Sequence, residues 1–465
     1  MPATPSPDRP RTLGALRASG HVLHGVKAEI RHNLLDALRA GRDPWPGIVG
    51  FEYTVLPQFE RALIAGHDVV LLGERGQGKT RLLRSLVGLL DEWTPVFEGS
   101  ELGEHPYEPI TPAARRRAAE LGDDLPVTWR HRDERYTEKL ATPDTAVADL
   151  IGDVDPVKVA EGRSLGDPET IHYGLVPRAH RGIVAINELP DLAERIQVSL
   201  LNVMEERDIQ VRGYTLRLPL DVLLVASANP EDYTNRGRII TPLKDRFGAE
   251  VRTHYPLELA DEIALVKQEA ELTAAVPGHL LEVIARFARS LRESKAIDQG
   301  SGVSARFAMA AAETVAAAAL RRGAITGEER PTARPIDLES VPVVLRGKLE
   351  FASGEEGREG EHLEHLLRRA IADTARARLR GFDLGPLAEA VAGSPVRTGE
   401  RVPAVEVVAA LPVVAALTEV AKRLDAAGTE DPGPMASAAE LALELLFLTR
   451  RLAKDEADDE SVSYG

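Results

Sequence analysis

Gly73-Glu74-Arg75-Gly76-Gln77-Gly78-Lys79-Thr80 fits the spacing G-x-x-x-x-G-K-[ST], in which each residue type has a phosphate-binding task. The glycines let the backbone curl so that its N–H groups face anionic oxygens, Lys79 reaches the β- and γ-phosphates, and the Thr80 hydroxyl ligates Mg²⁺. Arg81 follows directly and completes the nucleotide-contacting run. Downstream, Ile183-Val184-Ala185-Ile186 ends in Asn187-Glu188. Phosphoryl-transfer sites place Asp-Glu at such a strand end, the Asp to support Mg²⁺ and the Glu to polarise the attacking water. Here Asn187 holds the first place. Its carbonyl accepts a hydrogen bond from Thr80 or from a Mg²⁺-bound water but does not attract the ion, so weaker Mg²⁺ dependence or slower turnover is expected, with nucleotide binding kept. Thr80, Asn187 and Glu188 are thus the metal candidates, directly or through water. A third apolar run leads to Ser227-Ala228-Asn229-Pro230, where Asn229 can hold the water near the γ-phosphate. Leu243-Lys244-Asp245-Arg246-Phe247 places Arg246 where it can enter a neighbouring subunit's site.

These residues need strands that end together. Apolar runs at 69–72, 183–186 and 222–226 alternate with helical patterns such as 81–90 and 193–204. Continuous apolar strands separated by helices predict an α/β fold, a parallel sheet covered on both faces. Around it the chain divides into a disordered Pro-rich leader (1–12), an N-terminal helical segment (13–46), the α/β nucleotide-binding domain (47–256), a helical lid (257–352) and a helical extension with a frayed acidic tail (353–465). SGEEGREG at 353–360 reads as the linker before the extension.

Composition narrows the partners. The formal charge of −16 disfavours binding of DNA or anionic lipid by the protein as a whole, and aromatics at 4% leave base stacking poorly supplied. With no cysteine there is no disulfide framework, thiolate nucleophile or iron–sulfur ligand, which suits a reducing compartment, and cytoplasm is the expected location. No stretch approaches the roughly 20 apolar residues a membrane span needs. His105, His131, His172 and His180 lack the spacing of a metal motif, and the clusters Arg115-Arg116-Arg117 and Arg130 with Arg132 read as solvated or interface charges.

At these residues the sequence resembles AAA+ ATPases, in the branch of MoxR-type ATPases and the ATPase (I) subunit of magnesium chelatase. The resemblance covers about 48–307. It is carried by IVGFE, GERGQGKT, ATPDTAVADLIGDVDPVKVAEG, GLVPRAHRGIVAINEL and LLNVMEERDIQVRGYTLRLPLDVLLVASANPED. It implies a P-loop NTPase α/β/α core with an all-α lid, and ATP and Mg²⁺ as cofactors. Ile48 and Val49 resemble the segment beside adenine, 155–174 the insertion in helix 2, and 209–218, around Gly213, the pre-sensor hairpin. Arg246 matches the finger that acts in trans, and Arg306 in GVSARF resembles the lid residue that senses the γ-phosphate. By the same resemblance the protein is an ATP hydrolase, assembles into a ring (a hexamer by family), and remodels or activates a partner carrying a von Willebrand A domain. A magnesium chelatase inserting Mg²⁺ into protoporphyrin and a nucleotide-gated scaffold with little hydrolysis are the alternatives. No GAFTGA-like loop or basic helix-turn-helix pattern is present to support a transcription activator. Asn187 and the 353–465 extension depart from the chelatase pattern.

Overall fold

The structure is a computed structural model. It describes the chain except residues 1–4, 7, 163–167, 207–208, 212–213, 217, 231–237, 299–301, 356, 412–414, 428–430 and 457–460. Two compact units result, Met1–His254 and Tyr255–Gly465.

Five strands form the main sheet of the first unit, numbered here in chain order: β1 (Val69–Leu72), β2 (Tyr136–Leu140), β3 (Gly182–Asn187), β4 (Val222–Ala228) and β5 (Ala249–Arg252). All pair in parallel in the order β5-β1-β4-β3-β2. In the central strands successive side chains alternate between the two faces. Val69, Leu71, Ile183, Ala185, Leu223 and Val225 join one core with Val26, Ile30, Val55, Phe59 and Leu82. Val70, Leu72, Val184, Ile186, Leu224 and Ala226 join another with Leu150, Val176, Ile196 and Leu200. Helices therefore cover both faces, and each buried aliphatic side chain contributes roughly 1.5–3 kcal/mol. The result is the three-layer α/β/α core expected. Only β1, β3 and β4 carry the continuous apolar run that marks a strand in the sequence. β2 reads YTEKL and β5 reads AEVR, edge strands whose polar side chains hide the apolar signal.

The N-terminal segment is not one helix. It breaks into Leu13–Ala18 and Val26–Arg39, interrupted by Gly20 in the left-handed region (φ 73°). Nor is it a separate body, because Val26, Ile30 and Leu34 pack into the core on one face of the sheet. The second helix is also joined by charge. Glu29, 4% exposed, takes both arms of Arg135, 1% exposed, at 2.7 and 2.6 Å. Asp221 accepts from the backbone N–H of Val26 at 2.8 Å.

The leader expected to be disordered is held from Arg9 to Thr12. Arg9 lies 4.7 Å from the Trp129 ring centre, Trp129 Nε1 donates to Pro10 O, and the Val127 N–H donates to Arg11 O. The Pro-rich segment supplies little apolar surface itself; the tryptophan it covers lies more than a hundred residues away in sequence, in the antiparallel pair Trp93–Phe97 and Val127–His131.

In the second unit the helices Gly278–Glu293, Ala305–Thr326, Glu359–Arg378 and Pro432–Leu448 share a single core running from Val266 to Tyr464. The expected break at 353–360 does not divide that core: Val341, Leu345 and Leu349 before it and Leu363, Leu367 and Ile371 after it belong to the same cluster. The acidic tail is not frayed where it is described. Ser461–Tyr464 forms the middle strand of an antiparallel sheet between Val396–Gly399 and Lys454–Glu456. Its acidic composition conceals two anchors: Tyr464 is buried with its hydroxyl on Glu444, and Lys454 Nζ lies 3.2 Å from the same carboxylate.

Candidate functional site

The loop leaves β1 at a point where three strands converge. Gly73 N–H donates to Ala228 O of β4 at 3.1 Å, and Thr253 N–H, just past β5, donates to Leu72 O at 2.8 Å. A Cβ at Gly73 would stand 2.0 Å from Thr253 Oγ1 and 2.3 Å from Gln77 Oε1, so any other residue would have to displace these side chains. Gln77 Oε1 braces the turn by accepting from the Glu74 N–H at 3.0 Å and from Thr253 Oγ1 at 2.9 Å. Gly76 and Gly78 have φ of 76° and 74°, the left-handed backbone that aims loop amides toward one centre. Lys79 opens the following helix and is buried. Its ammonium donates to Gly73 O, to Glu74 O at 2.7 Å and to Asn229 Oδ1 at 2.7 Å. Those three acceptors are neutral oxygens, and they hold the ammonium at the mouth of the loop.

The ends of β3 and β4 supply the rest. Thr80 Oγ1 lies 3.5 Å from Asn187 Oδ1, and Ser227 Oγ donates to the same oxygen at 3.0 Å. Asn187 Nδ2 donates to Glu138 Oε1 at 2.7 Å. Glu188 is half-buried and sits in the left-handed region (φ 57°, ψ 47°), unfavourable for a residue other than glycine. Two hydrogen bonds hold it there, from its own N–H to Ser227 Oγ at 3.2 Å and from the Asp191 N–H to its carbonyl at 2.9 Å. Imposed strain at a strand end turns the carboxylate away from the direction an extended backbone would give it. Thr80, Asn187 and Glu188 form a donor set of hard oxygens, the kind Mg²⁺ accepts, and the buried Lys79 amine suits the phosphates beside it. The site fits Mg·nucleotide.

Sequence reasoning missed Glu138, Arg84, Ser227 and Thr253. Arg84 binds Glu138 through Nε at 2.7 Å and Nη2 at 2.9 Å, and Tyr136 OH donates to it at 3.1 Å. The hydrogen bond from Arg84 holds the Glu138 carboxyl below its ordinary value, and Arg84 rises in turn. The one signal available was a carboxylate inside an otherwise weak strand pattern.

Of the remaining candidates, Ile48 is buried in the core beside β1 and Val49 is half-buried next to it, while Glu74, Arg75 and Arg81 are exposed around the loop. Arg246 ends the helix Thr241–Arg246, with its side chain 43% exposed and paired with Glu205. Arg306 is exposed on the second residue of Ala305–Thr326, in the second unit. In the insertion (155–174), Ile171–Tyr173 pairs with Gly152–Val154 just before it, and residues 163–167 lie outside the described residues. The expected hairpin is present as Ile209–Val211 against Tyr214–Leu216, with Gly213 outside the described residues.

The histidines serve structure. Burial and then Arg181 push the His105 pKa down to about 2, with its ring stacked on His21; His180 Nδ1 accepts from the Asp221 N–H at 3.1 Å. Among the described residues no group of three or more His, Asp or Glu is placed to hold a metal ion, and no helix is long and apolar enough to cross a membrane. Arg115, Arg116 and Arg117 bind Pro109 O, Glu169 and Glu98 O.

Comparisons with known proteins follow the same residues. Residues 162–246, which include Asn187, Glu188, Asn229 and Arg246, match the family described as the Sigma-54 interaction domain. Magnesium-chelatase subunit ChlI of Nostoc sp. is 28% identical over 245 residues, 51% of this chain and 61% of the relative. The corresponding subunit of Nephroselmis olivacea is 30% identical over 240 residues (49% and 61%), and the magnesium-chelatase 38 kDa subunit of Cereibacter sphaeroides 28% over 236 (48% and 62%). The sequence is similar to AAA+ ATPases of the magnesium-chelatase I branch. The chain spans about three fifths of the length of these curated relatives. Its fold is also similar to the BchI–BchD complex of magnesium chelatase (20% identity, 69% of this chain and 98% of that one, TM-score 0.36) and to Thermotoga maritima RuvB (16%, 79% and 81%, TM-score 0.36).

Proposed function

We propose that the chain hydrolyses ATP with Mg²⁺ at the interface between copies of itself in a ring, with six subunits as the family-based number, and uses the cycle to remodel or activate a protein partner. The observation that carries this reading is the buried Lys79 amine, held by loop carbonyls and Asn229, with Thr80 beside it on the helix and Asn187 and Glu188 at the end of β3. Lys79 exchanges those acceptors for β- and γ-phosphate oxygens, and the loop amides surround the same group. Thr80 and Asn187 would hold Mg²⁺, directly or through water, and the ion shields phosphate charge when bound. Glu188 orients and deprotonates the attacking water. Asn229 holds that water against the γ-phosphate. Because phosphoryl transfer depends on position and charge stabilisation, a cation from a neighbouring copy is needed, and Arg246 is the assigned donor. In a single chain its pairing with Glu205 keeps it at the surface. For Arg306 and for the adenine-side Ile48 and Val49 the support is the family resemblance.

The partner is the finer part of the reading. A protein with a von Willebrand A domain is supported by resemblance to MoxR and chelatase systems. The relatives' names favour a second reading, a chelatase ATPase subunit acting in Mg²⁺ insertion into a porphyrin. Measured with ATP and Mg²⁺, the full chain is expected to release phosphate, and Glu188→Gln to lower the rate by about 100-fold or more while nucleotide affinity stays. A chain that binds nucleotide but shows no turnover sensitive to Glu188→Gln is a nucleotide-gated scaffold instead.

A further inference from the structure

The polarity of the strand-end network can be read atom by atom. A carboxylate only accepts hydrogen bonds, so Glu138 at 2.7 Å must face the NH₂ end of Asn187, and the carbonyl end must face the other way, toward Thr80 and Ser227. The two hydroxyls could not impose this, since each can donate or accept. Ser227 has one proton. It accepts from the Glu188 N–H at 3.2 Å and gives its own proton to Asn187 Oδ1 at 3.0 Å. Hydrogen bonds therefore run in one direction, from the strained Glu188 backbone through Ser227 and Asn187 to Glu138. The terminus is clamped as well. Arg84 takes both carboxylate oxygens and Tyr136 OH donates to Oε2, so Glu138 is held with Oε1 toward Asn187.

We propose that Glu138, clamped by Arg84, is a positioning residue that fixes the amide of Asn187 with its oxygen toward Thr80 and the Mg²⁺ position. This deepens the reading of the loop as a Mg·ATP site and rests on it. The negative charge absent from residue 187 is present one strand further out, where a guanidinium neutralises it. Asn187 thus acts as an oriented dipole where a strand-end aspartate would act as a charge. An unexpected consequence follows for the substitution that seems to repair the motif. Asn187→Asp would set a second carboxylate against Glu138 in place of a 2.7 Å hydrogen bond.

A cycle of variants in the full chain tests this, with ATP affinity measured by calorimetry in Mg²⁺ and in EDTA and the ratio of the two as readout. Glu138→Gln lets the amide turn and is expected to lower the ratio by about tenfold, the usual effect of losing a residue that orients a metal ligand. Asn187→Asp alone lowers it too. In the double variant N187D/E138Q the amide introduced at position 138 donates to the carboxylate introduced at position 187. It recovers most of the wild-type ratio, a sign reversal that a merely structural role does not produce. Arg84→Gln, at a side chain 64% exposed, loosens the clamp without altering the sheet and gives a smaller loss in the same direction. The proposal is overturned if E138Q leaves the ratio unchanged, or if Asn187→Asp alone raises it and E138Q adds nothing. Wild-type chain that binds no ATP in either condition overturns the proposed function itself and this inference with it, whereas retained binding with an unaltered ratio overturns this inference alone.

Discussion

Both units bury charged and amide side chains, but to different ends. In the first, Lys79, Asn187, Ser227 and Asn229 are buried where strands β1, β3 and β4 stop, beside the half-buried Thr80 and Glu188 and the exposed Gly78. In the second, Arg322 and Arg334 are both fully buried against protein partners, although Arg334 Nε and Nη1 make no hydrogen bond. Arg322 holds Asp337 at 3.1 Å, Glu328 at 2.6 Å and Thr332 O at 2.7 Å; Arg334 holds Gly399 O and Val402 O at 2.9 Å and lies 3.4 Å from Glu440. Burial of charge by itself does not mark a site. A group that keeps one side toward an open position can exchange its protein partners for a ligand. A group surrounded on all sides ties segments of chain together.

Substitution in the two units should separate these roles, and the largest effect is expected in the closed network. Asp337→Ala removes the acceptor of both Arg322 and the Arg334 backbone N–H and leaves a guanidinium under-compensated in the interior. Chemical denaturation should show a loss of about 3–5 kcal/mol. Lys79→Ala should do the reverse. Calorimetry should find ATP affinity reduced about 100-fold, near 2.7 kcal/mol, while the unfolding free energy moves by less than about 1 kcal/mol. If Lys79→Ala unfolds the chain as readily as Asp337→Ala, the distinction between open and closed networks is lost.

A more gradual effect concerns pH. His279, buried with Nε2 2.9 Å from Ser437 Oγ, has its pKa lowered by burial from 6.5 to about 4. Above pH 6.5 the ring is neutral in both the folded and unfolded chain. Between pH 6.5 and 4 the unfolded chain takes up a proton that the folded one refuses, so stability is lost as pH falls, by up to about 1.4 kcal/mol per unit from this group. His279→Gln should flatten that part of the curve of unfolding free energy against pH. An unchanged slope would mean that the ring is not held neutral.

Much of the first unit was legible because its decisive residues are close in sequence or buried on both faces. The glycines and Lys79 of the loop have to be neighbours, and β1, β3 and β4 must be apolar throughout. Glu138 escaped for the opposite reason. Its partners Arg84 and Asn187 lie 54 and 49 residues away, brought together only by a strand order that sequence neighbours do not reveal. The leader and tail misled for a related reason. Composition reports how much apolar surface a segment carries and says nothing of a tryptophan, a tyrosine or a glutamate elsewhere that waits to pair with it. Arg246 was singled out by its position in the chain alone, and its link to Glu205 joins the helix Thr241–Arg246 to the helix Glu194–Glu206.

The Glu29–Arg135 contact sets a rule for anyone cutting the chain. A fragment started at residue 47, where the loop-bearing domain seems to open, would discard the carboxylate and strand a guanidinium under the sheet, and Asp221 would lose the amide it receives from Val26. A fragment meant to keep the loop's sheet intact accordingly has its first boundary ahead of Val26, in the glycine-flanked gap between the two leading helices.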